Sequence, residues 1–104
     1  MNRAINHWKE CTAMKVNPSF ILRKIADEYI IVPVGPEADR MHGVLTLNEE
    51  GAFLWELLET EKTEKCLLDA MMENYDVDES DAMADISVFL RDLKEFGCLI
   101  SEDQ

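Results

Sequence analysis

The nine residues Leu47-Asn48-Glu49-Glu50-Gly51-Ala52-Phe53-Leu54-Trp55 constrain this chain more than any other stretch. An uncharged β-type run, Val44 to Leu47, meets an apolar helix here with no spacer between them. Asn48 carries a short side-chain oxygen that can accept from the free amides of a first helical turn, and Glu49 and Glu50 complement the positive end of that helix. A glycine inside a helix costs about 1 kcal/mol relative to alanine, so Gly51 predicts the close approach of another backbone. Phe53, Leu54, Trp55, Leu57 and Leu58 leave the helix apolar on most sides, which makes it central and buried. The corner therefore sets a strand against the start of a core helix.

The elements around that corner follow from period and punctuation. Pro18-Ser19 opens a first strand over 20–25, Ala26-Asp27-Glu28 is a tight turn, and 29–34 is a second strand rich in β-branched residues. Pro33 lacks a ladder donor, so it belongs at a strand end or facing away from a neighbour. Residues 35–40 read as a loop and 43–47 as a third strand. Three helices come next, the first from Asn48 to about Glu59. The second runs from Thr63 to near Tyr75, with Leu67, Leu68, Met71, Met72 and Tyr75 inward and Cys66 a small apolar filler among them. The third is capped by Asp78 or Ser80 and stops at Gly97, a suitable left-handed residue. Ala82, Ile86, Phe89, Leu90, Leu93 and Phe96 give it a 3.6-residue core stripe. Cys98-Leu99-Ile100 then returns toward the sheet. The expected fold is α+β: a three-stranded antiparallel β-meander followed by three α-helices, similar to a winged helix-turn-helix with its sheet placed first. Residues 1–17 are an N-terminal tail or a short helix, since Ile5, Trp8, Cys11 and Met14 recur at steps of three. Residues 18–101 form one domain, and 102–104 a C-terminal tail.

Composition narrows the function classes. A chain of 104 residues with 47% apolar and 31% charged content builds a core. A net charge of -12 argues against a phosphate-backbone ligand, which needs a basic face. The same charge steers basic peptides inward or simply keeps a small protein soluble. Cys11, Cys66 and Cys98 are odd in number and widely spaced, as expected of reduced thiols in the cytoplasm. No stretch approaches the ~20 apolar residues of a membrane span, and no apolar signal region opens the chain.

No catalytic, metal or cofactor site is expected. Asp76-x-Asp78-x-Ser80 opens like a calcium loop, yet Asp81 and Ser87 stand where that loop needs Gly and a bidentate Glu. Glu49 and Glu50 are adjacent on a helix and so point apart. His42 is a lone histidine in turn surroundings.

A surface remains. The third helix has a second face of Asp81, Ala84, Asp85, Val88, Arg91, Asp92 and Glu95, with Val88 apolar and off the core stripe. That is the pattern of a shallow groove with an apolar floor and polar walls, or of an ordinary exposed face with one tolerated valine. The third strand, Val44-Leu45-Thr46-Leu47, has neither proline nor charge to block pairing with a visiting strand. If this edge lies beside Val88, an extended peptide can add to the sheet and press alternate side chains on the helix. Two other readings stand beside it. One is a protein–protein adaptor or structural domain with no peptide client. The other is a DNA-binding winged helix, which Lys62, Lys65, Arg91 and Lys94 amid many carboxylates support poorly.

The ordered set of Arg23, Leu47-Asn48-x-x-Gly51-Ala52-x-x-Trp55, Tyr75-x-Val77 and Phe89-Leu90-x-x-Leu93-x-x-x-Gly97-x-Leu99 resembles the PqqD family, over roughly residues 18–101. The family takes its name from pyrroloquinoline quinone biosynthesis protein D. The resemblance implies a non-catalytic, cofactor-free chaperone that holds the leader of a ribosomally made precursor peptide. It implies presentation of that leader to a modifying enzyme, often of the radical S-adenosylmethionine type; charge and hydropathy already argue against a nucleic-acid or membrane partner. Carried onto this chain, the implied peptide-binding residues are Val44, Leu45, Thr46 and Leu47 on the third strand. On the third helix they are Ala84, Asp85, Val88, Arg91 and Asp92. Leu47, Asn48, Gly51, Ala52 and Trp55 become the scaffold of the corner. Cys98 departs from the family's usual leucine, and residues 1–17 lie outside the pattern, which leaves homodimer contacts open.

Overall fold

A computed structural model of the chain describes residues 13–35 and 45–101. Four strands come first: β1 (Met14–Val16), β2 (Phe20–Ile25), β3 (Glu28–Pro33) and β4 (Leu45–Leu47). Then follow helices α1 (Glu49–Leu57), α2 (Glu64–Asn74) and α3 (Glu79–Phe96), and a last strand β5 (Leu99–Ser101). Strands β2, β3 and β4 form an antiparallel sheet in that order, with Phe20 opposite Pro33 and Ile31 opposite Leu45. The expected meander with three helices behind it is therefore present.

Alternation along the meander decides which face is buried. Phe20 and Ile31 are buried, and Leu22, Leu45 and Leu47 pack beside them against the helices. Ile21, Arg23, Ile25 and Ile30 are on the other face, because successive strand residues point to opposite sides. Pro33 ends β3, where no further ladder donor is needed. The hairpin closes over Ala26-Asp27, and Ala26 takes a positive φ of 57°. A left-handed backbone disfavours any residue with a Cβ, so this turn carries strain that glycine would relieve.

The core gathers Trp55, Leu54 and Leu58 of the α1 region with Leu67 and Met71 of α2 and Ala82, Ile86, Phe89 and Leu93 of α3. Leu90 and Phe96 flank that stripe half-buried, and Phe96 tilts its ring against Phe20 at 5.9 Å. Gly97, with φ 85°, ends α3. Its amide donates to the Lys94 carbonyl at 3.1 Å, and the Cys98 amide donates to the Leu93 carbonyl at 3.0 Å. This paired closure is the Schellman ending that a left-handed glycine permits. Cys98 is fully buried, and desolvation pushes its thiol up to about 11.

Four expectations are corrected. Residues 14–16 are a strand, not a tail or helix: β1 pairs with β5 in a separate two-stranded sheet, so β5 does not return to the meander. The Met14 and Lys62 backbones also exchange two hydrogen bonds at 2.8 and 2.9 Å, which ties β1 to the segment between α1 and α2. Ile5, Trp8 and Cys11 of the supposed helical stripe lie outside the described residues. Met72 faces solvent at 42% exposure, because Leu67 and Met71 already fill the inward side of α2. Cys66 is likewise exposed rather than a core filler. It occupies the first turn of α2, where its amide donates to the capping Thr63 hydroxyl at 3.2 Å.

Candidate functional site

The strand-to-helix corner builds the site. Asn48 keeps an extended backbone while its side-chain oxygen accepts from the Gly51 amide at 2.7 Å. Its carbonyl accepts from the Ala52 amide at 2.9 Å, so one residue both ends β4 and caps α1. A Cβ at Gly51 would lie 3.2 Å from both the Asn48 oxygen and the Leu47 Cβ. What approaches Gly51 is thus the side chains of the corner itself, not the distant backbone expected from sequence.

Across from this corner runs α3. Asp85, Val88, Phe89 and Asp92 share one face of the helix by their spacing of three and four. With Thr46, Leu47, Asn48, Glu50 and Gly51 they enclose a groove of about 290 Å³ between β4 and α3. Leu54, Met71 and Phe89, all buried core residues, close its bottom. Val88 is 47% exposed and supplies apolar surface at its mouth. The walls hold three carboxylates, Glu50, Asp85 and Asp92, and among the described residues no cation lines the groove. Half-burial and then the carboxylates of Glu49 and Glu50 raise the nearby Tyr75 phenol, whose ring meets Phe53 edge-on at 5.4 Å.

β4 is the terminal strand of its sheet among the described residues. Neighbouring residues of a strand turn their N–H and C=O groups to opposite sides, so alternate residues of β4 aim theirs away from β3. Thr46 is exposed, whereas Leu45 and Leu47 are half-buried against the core and fix the strand's height over it.

Of the residues singled out from sequence, Thr46, Leu47, Asp85, Val88 and Asp92 converge on this groove. Leu45 precedes them on the same strand. Ala84 and Arg91 are exposed on α3 and do not line the groove; the Arg91 guanidinium sits 3.7 Å from the Asp92 carboxylate. Val44 lies outside the described residues, as do His42 and Gly43. Sequence reasoning treated Glu50 only as a partner of the helix dipole and Leu54, Met71 and Phe89 only as core. Glu50 was findable, because it stands one helical turn before Leu54 on the same side of α1.

Chemically the arrangement can hold an extended, partly apolar segment. Among the described residues the buried side chains are all apolar, and no three His, Cys, Asp or Glu groups converge as a metal site. Among them also, no helix is long and apolar enough to cross a membrane.

Two solved structures share this architecture. One is titled a lasso peptide synthetase B1 complexed with the leader peptide, with a TM-score of 0.66 and 18% identity over 84% of this chain and 96% of the other. The second is titled TbiB1 in complex with the TbiA(beta) leader peptide, with a TM-score of 0.63 and 26% identity over 86% of this chain and 96% of the other. No curated protein matches the chain in sequence. Residues 28–99 match the family described as coenzyme PQQ synthesis protein D, and by that match over most of its length the chain belongs to the PqqD family.

Proposed function

We propose that this chain is a non-catalytic recognition element that binds the leader of a ribosomally made precursor peptide. The leader adds as a strand to β4 and seats alternate side chains in the groove against α3. The bound peptide is then presented to a modifying enzyme, with the radical S-adenosylmethionine type the leading candidate, in the cytoplasm. The observation that carries this reading is the convergence of an uncharged strand edge with an adjoining groove whose mouth is the exposed Val88. Main-chain pairing supplies affinity in such a mode, and the pockets for alternate side chains supply specificity. Membership of the PqqD family supports it, as do two structural neighbours whose titles name a bound leader peptide.

A DNA-binding role has less support. Lys65 and Arg91 each stand beside an aspartate, at 3.4 and 3.7 Å, and the chain carries a net charge of -12. The test is titration of fluorescent peptides copied from short reading frames beside the gene. Micromolar or tighter binding that falls about 30-fold with Val88→Asp is the expected result. Unchanged anisotropy for every candidate overturns the proposal. Sedimentation with and without the peptide decides whether the working form is a monomer or a homodimer.

A further inference from the structure

We infer that the segment taken by this groove carries a lysine or arginine two positions from an apolar anchor. The inference rests on the proposed strand addition and states what chemistry the added strand must have. Glu50 on α1 and Asp85 and Asp92 on α3 stand on the walls around an apolar floor. Among the described residues, neither Glu50 nor Asp85 takes part in an ion pair. Among the described residues, Asp92 meets only its sequence neighbour Arg91, at 3.7 Å, with the Arg91 and Asp92 side chains 63% and 45% exposed. Such an exposed contact holds little energy and leaves the carboxylate able to take a second cation.

Burial under an added strand changes the balance for these groups. Three carboxylates hydrated in the open groove would lose water to the incoming chain, and a charge that loses water without a partner is costly. An apolar or acidic strand would leave them unpartnered, whereas a cationic side chain neutralises them where the local dielectric falls.

The spacing agrees with the mode of binding. Asp85 and Asp92 lie three and four residues from Val88, which at 1.5 Å per residue is about 4.5 and 6 Å along the helix. Side chains on one face of a strand recur about every 6.8 Å. A peptide residue seated on Val88 therefore places the next residue of that face within reach of one of the two aspartates, and a long cationic side chain covers the remaining gap.

The experiment selects short random peptides displayed on phage against the full chain, with Val88→Asp protein as the counter-selection. The best peptide is then synthesised with its basic residue changed to glutamine and to glutamate, and titrated at low and physiological salt. Enrichment of lysine or arginine two positions from an apolar residue is expected. The glutamine form should bind about tenfold more weakly, roughly 1.4 kcal/mol, and the glutamate form weaker still. Asp85→Asn or Asp92→Asn should erase most of the difference between the lysine and glutamine peptides, which a purely structural role for these aspartates would not do. Peptides that depend on Val88 yet show no basic enrichment, or tolerate glutamine freely, overturn the charge inference and leave strand addition standing. A selection in which nothing depends on Val88 overturns both.

Discussion

The three-stranded sheet has two outer strands, β2 and β4, and they are built to opposite ends. β2 is six residues long and should be the stickier by length, yet it carries Arg23 and Lys24, both exposed. Charged residues, lysine above all, are the ordinary protection of a sheet edge against unwanted pairing. β4 spans three residues, has no charge or proline, and runs beside α3 with a groove between them. On the proposed reading, length of exposed backbone does not mark the docking edge. Missing protection together with a seat for side chains marks it, and of these two strands β4 has both.

The largest expected effect comes from blocking the β4 backbone. Leu45→Pro and Thr46→Pro each remove one amide, and alternation means that only one of those amides points outward. The variant that keeps native circular dichroism should lose peptide binding by at least about 100-fold, roughly 2.7 kcal/mol. N-methylation of alternate peptide amides gives the same loss from the other partner without touching the fold. Second in size is Val88→Asp, which places a third α3 carboxylate at the groove mouth beside Asp85 and Asp92. Binding should fall about 30-fold, near 2 kcal/mol, while the melting temperature hardly moves because the side chain is half in solvent.

A smaller effect is expected at the corner. Gly51→Ala gains helix propensity of about 1 kcal/mol but forces its methyl against Leu47 and Asn48 at 3.2 Å. The two terms nearly cancel in stability, measured by urea titration, and the displaced Leu47 weakens binding by less than about tenfold, under 1.4 kcal/mol. Smallest of all is Ile25→Lys on β2, at a position already 54% exposed. Peptide affinity should change less than about twofold, as for an exposed site remote from the contact. A large effect there would move the docking edge to β2.

The same contrast explains what the sequence made legible. β2 and β3 are short apolar runs bounded by turn residues and α3 keeps a 3.6-residue stripe, so local sequence was enough for them. Asn48, Gly97 and Pro33 announced element ends because each residue type has a particular backbone consequence. Met14–Val16 and Leu99–Ser101 gave no such signal. Three residues cannot display a period, and their pairing depends on contacts across the whole chain. α2 misled at Cys66 and Met72 because its apolar residues spread beyond one narrow stripe, and packing decides which go inward. In the site, Val88 stood out as apolar off the stripe. The groove's bottom did not, since Leu54, Met71 and Phe89 look like core from sequence and become a floor only through the packing of three helices around one cavity.

Backbone amide hydrogen exchange, residue by residue, with and without saturating peptide tests strand addition most directly. The account predicts that slowed exchange appears at the outward amides of Leu45–Leu47, while β2 from Phe20 to Ile25 exchanges as before. Saturated binding with β4 unchanged, or with protection appearing along β2 instead, would contradict it.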